Sequence, residues 1–101
     1  MDIDYFVDQI HDELDGSINY IKLAIEIRPM NLSWSKTLVD MSAAEMNHAV
    51  NLFHMLEEYY TKIASDYVQT PDWLEDGYKE IADEYVSKIA NIKHMHEVYN
   101  M

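Results

Sequence analysis

No cysteine occurs among the 101 residues, which rules out a disulfide framework, a thiolate zinc site and a rubredoxin-type iron centre. The absence fits a reducing compartment. Glycine and proline number two each, too few for the repeated tight turns of an all-β fold. Basic residues are also scarce, 7 against 19 acids, and the formal net charge is −12. Binding to a nucleic-acid backbone rests on Lys and Arg neutralising phosphates, so nucleic acid is not an expected partner. Cations are the small partners that such a surface favours, although the same charge also serves solubility. No apolar run approaches the ~20 residues of a membrane span, and Met1-Asp2-Ile3-Asp4 has neither the basic start nor the apolar stretch of a signal peptide. A cytoplasmic protein without membrane contact is expected.

What is present is helical periodicity. Just under half the residues are apolar or aromatic (49%), enough for one packed domain spanning residues 1–101. Phe6, Ile10, Leu14, Ile18, Ile21 and Ile25 recur at three- and four-residue steps and predict a first helix from about Asp4 to Ile27. Arg28-Pro29 ends it, and Asn31 or Ser33 can cap a second helix from roughly Trp34 to Asp66. The inner stripe of that helix reads Leu38, Met41, Leu52, Met55, Tyr59 and Ile63, flanked by Phe53, Leu56 and Tyr60. Thr70-Pro71-Asp72 has the order of a cap, a first-turn proline and a first-turn acid, so a third helix starts there and runs to about Tyr99. Its apolar set is Leu74, Tyr78, Ile81, Tyr85, Ile89, Ile92 and Tyr99.

Short connections between long helices make neighbours antiparallel, which gives an all-α up-down-up bundle of three helices. Three helices leave one side open. The apolar residues on more than one face of the second helix suit a partner chain, and a homodimer or higher homo-oligomer is expected.

Two polar residues interrupt the inner stripe of the second helix. Glu45 and His48 stand three apart on one helical face, so both side chains can converge on one point. A buried carboxylate needs a partner, and a cation is the obvious one. Glu13 on the first helix stands at the matching height. From Glu13 to Ile27 the helix rises about 21 Å, and from Trp34 to Glu45 and His48 it descends about 17 and 21 Å. Two carboxylates and an imidazole make a half-site for iron, manganese or zinc. The bland alternative is a Glu-His hydrogen bond with no metal. His11 and His54 read as surface or flank residues, and Tyr20 as a neighbour of Glu13.

The Glu13 to Glu45-x-x-His48 pattern resembles the ferritin-like di-iron carboxylate family, which includes ferritins and rubrerythrins. The run Ala43-Ala44-Glu45-Met46-Asn47-His48-Ala49 with Leu52-Phe53, and Tyr20 after Glu13, look like rubrerythrin's, over roughly residues 5 to 60. The resemblance implies a ferritin-like fold and a ferroxidase-type oxidoreductase with Glu13, Glu45 and His48 as metal-binding and catalytic residues. A full member also has a long crossover and a second Glu and Glu-x-x-His on two more helices, which are missing here. Two half-sites joined across a two-fold axis would restore a di-iron centre. That arrangement is similar to the short ferritin-like proteins held inside encapsulin shells, so a protein shell or assembly partner is a further expectation. On the third helix, family-like spacing selects Glu84, whereas height selects His96, with His94 or Glu97 beside it. The competing function is a metal-free helical interaction or assembly module, such as a virion or scaffold component. No phosphate loop or His-Glu-x-x-His motif supports a hydrolase.

Overall fold

The computed structural model describes residues 3–101, which form three α-helices and no strand. Helix α1 spans Ile3–Ile27, α2 Leu32–Ala64 and α3 Asp72–Tyr99. Residues 28–31 join α1 to α2. Asn31 caps α2, its side-chain oxygen accepting the Trp34 amide at 3.0 Å. The α3 start falls one residue later than the sequence pattern suggests. Pro71, in an extended conformation, holds the cap position, Asp72 opens the helix, and no side chain closes the cap.

The elements alternate up-down-up. Partners of α1 on α2 run backwards, from Phe6 against Tyr59 to Ser17 against Ser42 and Ala24 against Ser35. Those on α3 run forwards, from His11 against Glu84 to Arg28 against Tyr99. The molecule is an elongated rod of 57 × 20 × 15 Å, so its two turns, with Trp34 and Trp73 beside them, lie at opposite ends. Among the described residues, no helix is long and apolar enough to cross a membrane.

The apolar repeats of α1 and α3 pack as their spacing suggests. Phe6, Ile10, Leu14 and Ile21 are buried on α1, and Leu74, Ile81, Ile89, Ile92 and Tyr99 on α3. Each large aliphatic side chain buried in this way contributes about 1.5–3 kcal/mol.

Helix α2 differs. Its innermost positions are Ser35, Ser42, Ala49, Phe53 and Leu56. The stripe read from its large residues is therefore rotated by one position: Phe53 and Leu56 are core, while Met41 and Met55 are exposed at 40% and 52%. The physical reason lies in residue size. Ser35, Ser42, Ala49 and Leu56 repeat every seven residues, as do Ile10, Ser17 and Ala24 on α1, so small residues meet along the seam. Interaxial distance depends on the side chains at the contact, and serine and alanine permit a short one.

Burying serine requires hydrogen bonds, and the seam supplies them. Ser17 Oγ donates to the Ser42 carbonyl and Ser42 Oγ to the Ser17 carbonyl, both at 2.8 Å. Ser35 Oγ donates to the Ala24 carbonyl at 2.6 Å and lies 2.9 Å from the Tyr99 hydroxyl. No buried side-chain nitrogen or oxygen among the described residues lacks a partner.

Helix α3 is fastened by stacked rings as well as by polar contacts. Phe53 stacks on Tyr85 with ring centroids 4.1 Å apart, and Tyr60 on Tyr78 at 4.3 Å. Lys88 on α3 bridges Glu84 (2.5 Å) on its own helix and Asp15 (2.7 Å) on α1. At the far end the Arg28 guanidinium lies 4.7 Å from the Tyr99 ring centroid and donates to the Tyr99 carbonyl.

Candidate metal centre

Glu45 follows the seam residue Ser42 by three positions, and His48 precedes the seam residue Ala49 by one, which puts both at the border of the α1/α2 contact. Glu13 reaches the same border from α1, half-buried, while Asp12 points to solvent. One ligand atom from each of Glu13, Glu45 and His48 lies within 4.8 Å of the other two. His48 Nδ1 is 3.3 Å from Glu13 Oε2, and the imidazole is 58% exposed against 22% for the Glu13 side chain. The cluster is thus anchored on its carboxylate side and open on its histidine side.

Electrostatics leave the two carboxylates in tension. A hydrogen bond to Glu13, then burial, then the Glu13 charge push the Glu45 carboxyl above its ordinary value, and the charge of His48 only partly offsets them. Two carboxylates held side by side call for a proton or a cation between them. Gly16 completes the arrangement: a Cβ at that position would sit 3.1 Å from Glu45 Oε2. Two carboxylate oxygens and an imidazole nitrogen form a donor set that suits Fe(II), Mn(II) or Zn(II). Three ligands with an open side leave room for further donors to a metal held there.

The two candidates from α3 go elsewhere. Glu84 accepts from Lys88 and bonds His11 Nδ1 at 2.5 Å, with Asp15 3.0 Å from His11 Nε2. Residues 11 and 15 lie about 200° around α1 from residue 13, at 100° per residue, so this cluster faces away from Glu13. Burial alone would raise the Glu84 carboxyl, but hydrogen bonds from Lys88 and His11 outweigh it and hold Glu84 below its usual value. His11, Asp15 and Glu84 have the spacing of a second metal triad. Lys88 already supplies the cation there.

His96 lies on the other side of the seam and level with Ser42, about 9 Å along α2 from His48. Its Nε2 is 2.9 Å from Ser42 Oγ. Because the Ser42 hydroxyl hydrogen is committed to the Ser17 carbonyl, His96 is the donor in this bond. Burial pushes its imidazole below the usual value, so the neutral ring is favoured. His94 and Glu97 are exposed.

Gly16, Ser17 and Ser42 do not stand out by polarity or hydrophobicity. The heptad of small residues is the sequence signal for the serines, and a mid-helix glycine three residues after Glu13 is the signal for the close approach of Glu45.

Along α2 the cluster continues into apolar surface, with Met41, Leu52 and Met55 on the same stripe. At the α1/α2 turn, Leu23, Ile27, Trp34 and Leu38 line a shallow apolar cleft. Comparisons with protein-family models, with curated proteins and with solved structures give no match.

Proposed function

We propose that this chain is a ferritin-like iron-binding protein in which Glu13, Glu45 and His48 form half of a di-iron carboxylate centre, completed by a second copy, and that it handles iron as a ferroxidase. The observation that supports this reading is the convergence of the three side chains on one point from two helices, with a carboxylate pair that a shared proton or a cation neutralises. Two such triads across a two-fold axis provide four carboxylates and two imidazoles. Iron held by Glu13, Glu45 and His48 would supply one-electron Fe(II)/Fe(III) chemistry, with dioxygen or peroxide as the electron acceptor. The chain's own contribution is to hold the carboxylates at the seam and to leave His48 exposed on the open side of the cluster.

The test is anaerobic Fe(II) titration of protein purified without a histidine tag, followed by exposure to oxygen. Stoichiometric uptake, a rise in Fe(III) absorbance and loss of both in Glu45→Ala and His48→Ala agree with the proposal. Wild-type protein that takes up no Fe(II), or variants that match it, would sink it.

The second reading is a metal-free helical interaction or assembly module. Exposed apolar residues along α1 and α2 favour it, Trp34 at 64%, Met55 at 52% and Leu23 at 44%. It requires substoichiometric metal after purification and a melting temperature and oligomeric state unmoved by chelators.

A further inference from the structure

Gly16 lies in the interior of α1, where glycine is disfavoured relative to alanine. Its backbone does not call for glycine, since no described residue has a positive φ. Space explains it. The three atoms that a Cβ at position 16 would first meet all belong to Glu45: Oε2 at 3.1 Å, Cδ at 3.6 Å and Cγ at 3.8 Å. At Gly77, by comparison, a Cβ would meet only Ile3, at an ordinary 3.7 Å. Gly16 also stands one turn after Glu13, on the same face of α1.

We infer that Gly16 is a positioning residue of the metal centre: its bare Cα forms a slot on α1 into which the Glu45 carboxylate fits beside Glu13. A methyl group there displaces Glu45 by a few tenths of an ångström or forces it into another rotamer. Metal ligation is sensitive to errors of that size. The inference rests on the metal reading for its functional meaning, but the slot itself is a claim about the metal-free chain.

Two measurements decide it. The first is anaerobic Fe(II) and Zn(II) titration of wild type, Gly16→Ala and Gly16→Ala/Glu45→Asp. The expected result is a loss of about tenfold in affinity in the single variant, with partial recovery when the shorter aspartate restores room. A loss below threefold overturns the inference. The second needs no metal: the change in melting temperature caused by Gly16→Ala, measured in the native and in the Glu45→Ala backgrounds. Without the Glu45 carboxylate, alanine is expected to raise the melting temperature by several degrees more than it does with the carboxylate present. Equal changes in the two backgrounds overturn the inference. If Gly16→Ala fails to fold in the native background, folding in the Glu45→Ala background supports the slot and failure there overturns it. If wild type binds neither metal, the metal reading falls and the melting comparison alone decides the role of Gly16.

Discussion

Ser17 and Ser42 bind each other twice, each hydroxyl donating to the other's backbone carbonyl at 2.8 Å with the two oxygens 3.0 Å apart. The pair holds α1 against α2 beside Glu13 and Glu45, so it fixes the distance between the two carboxylate-bearing backbones.

Replacing either serine tests that role. Ser17→Ala and Ser42→Ala are each expected to cost about 1–2 kcal/mol, the worth of a buried hydrogen bond with its partner left short. Ser42→Leu adds bulk to a tight seam and is expected to cost about 1–3 kcal/mol through overpacking. Urea unfolding of the metal-free protein measures both, and a neutral Ser42→Leu would contradict the close seam.

The seam also explains what the sequence could convey. The large residues of α1 and α3 mark their buried faces because each face carries Ile and Leu at helical spacing, joined by Phe6 on α1 and Tyr99 on α3. On α2 the buried face is marked by Ser35, Ser42 and Ala49, which resemble surface residues, while Met41 and Met55 look like core and are exposed. The one-position rotation follows from weighing hydrophobicity above size. Glu13, Glu45 and His48 still stand together, because a rotation of about 100° moves Glu45 and His48 from the centre of the α2 face to its border, where Glu13 meets them from α1. Family-like spacing selects Glu84 and height selects His96, but both specify level along a helix and not the side of it. Only the packing of α3 against the other flank of α1 sets that.

His96 predicts an acid-sensitive docking of α3. Its folded value is depressed by burial, so the fold favours the neutral ring. The stability that depends on neutrality is fully present above the unfolded value of ~6.5 and is lost as pH falls from there through the folded value. Melting temperature is expected to fall below about pH 6.5, and His96→Gln, which keeps an N–H donor, is expected to flatten that part of the profile. An unchanged profile in the variant would assign the sensitivity to other groups.

Glu45 predicts the opposite trend at lower pH. Its folded value is raised by the hydrogen bond to Glu13 and by burial, so ionisation at neutral pH works against the metal-free fold. That penalty is present above the raised value and disappears as pH falls through it toward the unfolded ~4.5. Glu45→Gln is therefore expected to raise the melting temperature of metal-free protein at pH 7 while abolishing metal uptake. A fall in both would point to a purely structural carboxylate.

Lys88 joins α3 to α1 through Asp15 and Glu84. Burial lowers its ammonium value, and the hydrogen bonds to Asp15 and Glu84 outweigh that and raise it. The three side chains are partly exposed, so Lys88→Met is expected to cost no more than about 1 kcal/mol, and the difference should shrink in high salt. Glu84→Gln is expected to leave Fe(II) uptake at the wild-type level, since Glu84 faces away from Glu13. A loss of uptake in that variant would draw α3 into the centre.

The rod shape and the two turns at its ends give the chain a pair of built-in optical reporters. Its two tryptophans, Trp34 and Trp73, stand near opposite ends, both more than half exposed, with the carboxylate cluster in the stretch between them. Single replacements, Trp34→Phe or Trp73→Phe, leave one emitter at a known end. Fluorescence can then tell whether a second copy first covers the apolar cleft beside Trp34 or the opposite pole, without adding a label.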